Sequence, residues 1–184
     1  MKFILALFLA IGMTSLTHAK SDEIGNNIDV NHYEIHLNEI NIADRTIDAK
    51  TIISFTTLSS VNEIDLELKS LNVTSVTSSE ANISDFSQNG DVLSISFSSS
   101  IAENSNVSLT IEYNGSTFNE NWGGIHWSND YVYNLGVGFD SQPHNLGKTW
   151  FPCVDNFNDK ASYDLFITYP ENMISSCGGI LTET

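Results

Sequence analysis

Two groups of residues in this sequence have the composition of a functional site. The first is the irregular segment, residues 138–163 (GFDSQPHNLGKTWFPCVDNFNDKASY), in which aromatic, proline, cysteine and charged residues are mixed without the period of a strand or a helix. Such a mixture is typical of buried, irregular backbone that holds polar groups in fixed places. The second is the aromatic group between Trp122 and Tyr133, which either stacks on sugar rings or covers the core beneath a long loop.

Neither a metal centre nor a nucleophilic triad can be assembled from these residues. His32, Glu34 and His36 share one face of a predicted strand, but alternation alone places such residues on a solvated face. The zinc motif HExxH and the nucleophile elbow GxSxG do not occur in the sequence. Cys153 with His144 nearby has the residue types of a thiolate pair, although a buried or disulfide-bonded cysteine is more usual. We therefore expect neither catalytic residues nor metal ligands here.

The N-terminal residues indicate export. Residues 1–19 contain a positively charged start, an unbroken apolar run and a Thr17-His18-Ala19 cleavage pattern, which together predict a secretory signal. The apolar run is shorter than the roughly 20 residues that a membrane-spanning helix needs. A retained amphipathic anchor is the alternative. We expect a secreted, periplasmic or cell-surface protein with no membrane span after signal cleavage.

Charge limits the classes of partner. The net charge of −16 is spread along the sequence, and so acidic a surface repels phosphate backbones. We therefore do not expect this chain to bind nucleic acid. The length of 184 residues suits one domain with a hydrophobic core.

The two cysteines, Cys153 and Cys177, leave two alternatives open in an exported chain. A disulfide between them would close a loop of about 24 residues and add on the order of 3 kcal/mol to the free energy of unfolding. Two separate thiols are the other alternative, because the sequence does not give the Cα separation that a disulfide requires.

The pattern of apolar residues predicts an all-β chain. Residues 33–37 alternate as a strand, and a change of phase predicts a bulge at Asn38-Glu39. Asn89-Gly90 predicts a hairpin turn, and turn signals recur every ~8–12 residues, as in an antiparallel sandwich or saddle. Residues 20–30 are predicted to be a flexible lead-in, and residues 173–181 to begin a further strand.

Several residues of the irregular segment occur in a familiar order: Gln142, Lys148, Trp150-Phe151-Pro152-Cys153, Asp155 and Lys160-Ala161. This order resembles the pattern Q…A-R-x-W-F-P-C-x-D-x-P…K-A-x-F of the aminopeptidase N-like zinc metallopeptidases. Gly124-Ile125-His126 with Ser128 is similar to the G-[FL]-Y-x-S of that family. The resemblance covers residues 29–182.

The resemblance implies a fold and a partner. Residues 31–184 would form the N-terminal domain of that family, a saddle-shaped antiparallel β-sandwich-like structure that packs on a thermolysin-like catalytic domain. The zinc ligands and the GxMEN motif of the family belong to that catalytic domain, so this chain would hold no cofactor and would be inactive alone. Gln142 matches a family glutamine at the subsite for the substrate N-terminus. An amide that satisfies its own loop is the alternative role.

Some residues depart from the family pattern. Lys148 stands where arginine is usual, and Asp155-Asn156-Phe157 replaces D-E-P. Cys177-Gly178-Gly179 replaces S-N-G, which favours a disulfide with Cys153 as a feature of a subgroup.

Two functional hypotheses follow. The first is the non-catalytic N-terminal domain of a secreted zinc-dependent aminopeptidase, which releases N-terminal residues from peptide substrates. The alternative is a free-standing secreted β-sandwich module that binds peptide or carbohydrate.

Overall fold

The computed structural model describes residues 23–183 and confirms that the chain is all-β. The predicted signal, residues 1–19, lies outside the described residues, as does the start of the predicted lead-in, residues 20–30. The end of that lead-in is not flexible, because the first strand begins at Ile28, and Ile28 and Val30 are buried in the core. Among residues 23–183 there is no helix with the length and apolar character of a membrane span. The strands are β1 (Ile28–Asn41), β2 (Thr46–Thr57), β3 (Val61–Glu67), β4 (Asn72–Thr77), β5 (Ile83–Asn89), β6 (Val92–Ile101), β7 (Asn106–Ser116), β8 (Asn119–Glu120), β9 (Gly123–Trp127), β10 (Val132–Leu135) and β11 (Ser162–Ile167), with one 3₁₀ turn at Gly147–Thr149.

The strands form three sheets. A five-stranded sheet has the order β11-β1-β2-β7-β4, and two three-stranded sheets have the orders β3-β6-β5 and β10-β9-β8. All neighbouring strands are antiparallel except β1 and β11, which run parallel. The five-stranded sheet and the sheet β3-β6-β5 contribute to one hydrophobic core, because alternate residues of each strand point to the same side.

The core consists mainly of aliphatic side chains. Ile53 and Ile111 of the five-stranded sheet and Ile64 and Ile95 of the sheet β3-β6-β5 are completely or almost completely buried. Burial of one such side chain contributes roughly 1.5–3 kcal/mol relative to its exposure to water. This shared core fixes the two sheets against each other and forms the support for the irregular segment.

Two local predictions are confirmed. The pairing of β1 with β2 shifts register between Leu37 and Glu39, where the phase change of the sequence indicated a bulge. β5 and β6 form the predicted hairpin, whose turn is Gly90-Asp91, one residue later than the Asn89-Gly90 signal; Gly90 has a φ of 62°, which favours glycine.

The prediction of a strand over residues 173–181 is wrong. This segment is irregular, and Ile174 and Ile180 are 93% and 91% exposed. Alternation of side chains makes a strand only where a neighbouring backbone supplies hydrogen bonds, and none of the described sheets pairs with this segment. Gly179, with a φ of 111°, also interrupts an extended course.

Two tyrosine hydroxyl groups join the irregular segment to the five-stranded sheet. The hydroxyl of Tyr33 accepts a hydrogen bond from the backbone N–H of Val154 (3.1 Å). The hydroxyl of Tyr113 donates to the backbone carbonyl of Trp150 (3.0 Å) and also lies 3.0 Å from the hydroxyl of Thr51. Because irregular backbone lacks a sheet partner, these hydroxyls satisfy polar groups that would otherwise be buried without one.

The buried tyrosines predict a loss of stability at alkaline pH. Burial raises the pKa of both Tyr33 and Tyr113 above the ordinary value of 10.0. The folded state keeps both hydroxyls protonated after the unfolded chain has begun to ionise, so their contribution is complete below pH 10 and declines above it. We expect urea unfolding to give a free energy that falls above about pH 10.

Phenylalanine variants test this source of the pH dependence. Tyr33→Phe together with Tyr113→Phe should lower the neutral-pH free energy of unfolding by about 1 kcal/mol per hydroxyl and make the alkaline decline shallower. Tyr131→Phe, at an exposed position, is the control and should leave the decline unchanged. An equally steep decline in the double variant would contradict the assignment.

Candidate functional site

Most of the residues singled out by the sequence lie in the irregular segment or in and next to the sheet β10-β9-β8. At the centre lies the Lys148 cluster, which consists of Lys148, Glu67 and Asp155. The ammonium of Lys148 lies 2.5 Å from a carboxylate oxygen of Glu67 and 4.0 Å from one of Asp155. These three side chains are only 12%, 16% and 9% exposed, so water screens the charges weakly.

Backbone hydrogen bonds surround the Lys148 cluster. The carboxylate of Asp155 accepts the N–H groups of Gly147 (3.2 Å) and Lys148 (3.3 Å), which fixes the 3₁₀ turn. Glu67 and Cys153 exchange two backbone hydrogen bonds, of 2.8 and 3.0 Å, as an antiparallel bridge. The irregular segment is therefore attached to the end of β3 by both its backbone and its ion pairs.

The acidic neighbours keep Lys148 charged. Burial alone lowers the pKa of its ammonium, but the hydrogen bond and charge of Glu67 and the charges of Asp155 and Asp91 together raise that pKa above 10.5. The fold thus holds a lysine cation between two carboxylates at the position where the family pattern usually has arginine.

Cys153 and Cys177 are free thiols in the structure and do not form the disulfide that the sequence allowed. Cys153 is 3% exposed, whereas Cys177 is exposed. Burial, followed by the charges of Asp155 and Glu67, raises the pKa of the Cys153 thiol well above its ordinary value. A protonated, buried thiol is a poor nucleophile, and this argues against a thiolate pair with His144.

Gln142 lies at the tip of a closed loop, the Gln142 loop, which consists of residues 137–145. Val137 and Asn145 form an isolated bridge at its base, and the N–H of Gly138 donates to the carbonyl of His144 (2.7 Å). The amide nitrogen of Gln142 lies 3.2 Å from Nε2 of His144, and both side chains are exposed. Gln142 thus contacts a side chain of its own loop and faces solvent.

The histidines of β1 lie on the face that alternation predicted. Nε2 of His36 lies 2.6 Å from Glu34, and Nε2 of His32 lies 3.6 Å from Asp164 of the neighbouring strand β11. Within residues 23–183, no three His, Cys, Asp or Glu side chains are grouped as a metal site would require. Each histidine instead has a single carboxylate neighbour.

The aromatic group divides into a buried and an exposed part. Trp127 packs against the core and donates its indole N–H to the hydroxyl of Thr117 (2.8 Å). Trp122 and Tyr131 are 65% and 58% exposed, and Tyr133 is stacked on His126 with 5.0 Å between ring centroids. The structural role considered for this group therefore applies to Trp127, whereas Trp122 and Tyr131 face solvent.

Sequence reasoning missed the role of Glu67. It occupies an ordinary outward position of β3, and its ion-pair partner Lys148 is 81 residues away in sequence. The local signal of a half-exposed strand gave no indication of this pair. The bridge between Glu67 and Cys153, together with the hydrogen bond from the N–H of Lys69 to the carbonyl of Lys148 (2.7 Å), brings the two charges together.

Comparison with known proteins places the fold. Residues 29–183 match the family model described as the Peptidase M1 N-terminal domain. An M1 zinc metallopeptidase from Deinococcus radiodurans superposes with a TM-score of 0.64 at 17% identity, over 77% of this chain and 32% of that chain. A variant of it bound to a Tyr-Ser-Ala substrate gives 0.62 at 18% identity, over 77% and 32% of the two chains.

A third solved structure, a two-domain M1 zinc metallopeptidase bound to L-arginine, gives a TM-score of 0.65 at 18% identity, over 79% of this chain and 33% of that chain. This chain therefore spans about a third of the length of the solved structures that it resembles. No match was found among curated proteins.

The Lys148 cluster predicts a large and charge-specific effect on stability. Lys148→Met removes the cation and leaves Glu67 and Asp155 as neighbouring buried carboxylates, so the free energy of unfolding should fall by about 3 kcal/mol. Lys148→Arg keeps the charge and should cost less than about 1 kcal/mol. Urea unfolding measures both values.

Lys160→Met is the matched control, because it removes the same charge from an exposed residue of the same segment. We expect it to change stability by less than about 0.5 kcal/mol. Equal destabilisation by Lys148→Met and Lys160→Met would show that the buried ion pairs contribute nothing specific.

Proposed function

Because the chain belongs to the Peptidase M1 N-terminal domain family, we propose that it is the non-catalytic N-terminal domain of a secreted zinc-dependent aminopeptidase. In this role it packs on a catalytic domain and lines the subsite for the N-terminus of a peptide substrate. The observation that carries the proposal is the exposed amide of Gln142 on a loop closed at its base by backbone hydrogen bonds.

Exposed apolar side chains on and after β11 support packing on another domain. β11 is an edge strand of the five-stranded sheet, and Tyr163 and Phe166, which point to opposite faces of it, are about half exposed. In the segment that follows β11, Ile174 and Ile180 are almost fully exposed. Exposed large apolar side chains at a sheet edge are typical of an interface.

The chemistry of Gln142 suits the recognition of a substrate N-terminus. Its amide oxygen can accept a hydrogen bond from an α-ammonium group, and its amide nitrogen can donate to a peptide carbonyl. The side chain adds no charge, so it can contact either group without a fixed ion pair. Zinc would be held by the catalytic domain, since the sequence of this chain contains no HExxH motif.

A free-standing module for peptide or carbohydrate is the second candidate. The exposure of Trp122 and Tyr131, which lie in the connections before β9 and β10, favours it, because exposed aromatic faces bind sugar rings and apolar side chains. Titration of the purified chain with glycans and peptides, followed by tryptophan fluorescence, tests this alternative. A saturable change that Trp122→Ala abolishes would support it.

Isolation from the native source tests the first proposal. We expect an antibody against residues 23–183 to recover aminopeptidase activity that zinc chelation abolishes and added zinc restores. Mass spectrometry of the recovered protein should identify a catalytic domain in the same polypeptide or in a bound one. Recovery of this chain without a catalytic domain and without activity would contradict the proposal, as would genuine peptide hydrolysis by the purified 184-residue chain.

Gln142→Ala tests the role of the subsite in that enzyme. Loss of a hydrogen bond to an ammonium group should raise KM for peptides with a free N-terminus by about tenfold. Inhibition by an N-acetylated peptide, which lacks the charged amine, should change less. An unchanged KM for free-amine peptides would remove Gln142 from the subsite.

A further inference from the structure

We propose that Glu120 is the positioning residue of the Gln142 loop, and that it acts by holding Asp140 and Ser141 immediately before Gln142. This inference rests on the proposed role of Gln142 and adds a residue that determines where its amide lies. Glu120 itself contacts the loop and not the substrate.

The two carboxylate oxygens of Glu120 accept three hydrogen bonds from the loop. One oxygen accepts the backbone N–H groups of Asp140 (3.0 Å) and Ser141 (3.3 Å). The other accepts the hydroxyl of Ser141 at 2.5 Å. Charge-assisted hydrogen bonds of this kind are about twice as strong as neutral ones, and three of them fix two consecutive residues.

A neighbouring contact acts on the same part of the loop. The amide nitrogen of Asn121 donates to the carboxylate of Asp140 (3.1 Å). Thus Glu120 at the end of β8 and the residue after it both hold the loop one or two residues before Gln142. This arrangement fixes the backbone from which the Gln142 side chain extends.

The backbone of β8 and β9 holds Glu120 in place. Glu120 pairs with Gly123, and Asn119 pairs with Gly124. Gly124 has a φ of 74°, and a Cβ at this position would lie 2.4 Å from the carbonyl oxygen of Phe118. A glycine is therefore required for the tight connection that directs Glu120 toward the loop.

A second glycine makes room for the carboxylate itself. A Cβ on Gly138 would lie 2.0 Å from a carboxylate oxygen of Glu120 and 2.6 Å from Cδ1 of Leu146. A Cβ on Gly123 would lie 2.7 Å from the Cα of Gly138. The closeness of these two glycines lets the loop approach β9 until Glu120 reaches its N–H groups.

The charge of Glu120 agrees with this geometry. The hydroxyl of Ser141 lowers the pKa of the carboxyl group most; burial opposes this effect, and the N–H groups of Asp140 and Ser141 and the charge of Lys69 lower the pKa further. The carboxylate therefore stays ionised below its ordinary pKa of 4.5. The contacts of the loop should be complete above pH 4.5 and be lost as pH falls through the lowered value.

Glu120→Gln tests the proposal with little change in shape. The glutamine oxygen can still accept the two backbone N–H groups, and its NH₂ group can donate to the Ser141 hydroxyl, but the negative charge that strengthens all three hydrogen bonds is lost. In NMR hydrogen exchange on the 184-residue chain, we expect the amides of Asp140 and Ser141 to exchange about tenfold faster. Glu112→Gln, on an exposed residue of β7, is the control and should leave these rates unchanged.

Three further variants keep the test informative if Glu120→Gln fails to fold. Ser141→Ala removes one contact and should accelerate exchange, whereas Ser141→Thr retains a hydroxyl and should restore protection. Gly138→Ala should displace the carboxylate by its added methyl group and reproduce the loss. Exchange at the Ser141 amide that does not change in Glu120→Gln or Gly138→Ala would overturn the proposal.

The enzyme provides a readout that a merely structural role would not give. In the enzyme recovered with its catalytic domain, Glu120→Gln should raise KM for free-amine peptides several-fold with a smaller change in kcat. In a Gln142→Ala background it should add little, because both substitutions act on one contact. An unchanged KM in Gln142→Ala would reject the proposed subsite and leave the exchange result standing. A raised KM in Gln142→Ala but not in Glu120→Gln would reject the positioning role alone.

Discussion

The buried charge of Lys148 is the constraint on which the irregular segment depends. An ammonium group at this depth loses water, and it is stable there because Glu67 and Asp155 supply compensating charge. Glu67 belongs to β3, whereas Lys148 and Asp155 belong to the irregular segment. The ion pairs therefore specify which strand the segment meets and in which register, and the backbone bridge from Glu67 to Cys153 is made in that register.

The remaining contacts of the segment follow from the cost of burying backbone without a sheet partner. Tyr33 and Tyr113 extend from two strands of the large sheet, and their hydroxyl groups satisfy Val154 and Trp150. The segment is thus held by β3 on one side and by the large sheet on the other. A chain with little regular structure between β10 and β11 can then present the Gln142 loop from a fixed base.

Much of the fold was predictable because strands leave a local signal. The alternation from Tyr33 to Leu37, the bulge that follows it and the hairpin turn at Gly90-Asp91 each depend on residues that are close in sequence. The parallel pairing of β11 with β1 had no such signal, since Tyr163 reaches Tyr33 across most of the chain. The prediction of a strand over residues 173–181 was wrong for the same reason: these residues have a strand-like pattern, but none of the described sheets pairs with them.

The site was less predictable than the fold because its contacts are both long-range and polar. The family pattern identified Gln142, Lys148 and Asp155, but it gave neither Glu67 nor Glu120 as a partner. A carboxylate on a strand has the same local signal whether it faces solvent or holds a loop.

The acidic composition and the neutral amide of Gln142 have complementary effects in the proposed function. A net charge of −16 attracts cationic groups over distances of the order of the Debye length, roughly 8–10 Å at physiological salt. That field draws a peptide ammonium toward the protein without selecting a position for it. Selection of one position for the ammonium requires a short, directed hydrogen bond. An exposed carboxylate would attract any cationic group, and a mobile amide would hold the ammonium only weakly. Because Glu120 accepts its hydrogen bonds from the loop backbone and from Ser141, its charge serves to place the Gln142 loop, and the amide is left to make the directed contact.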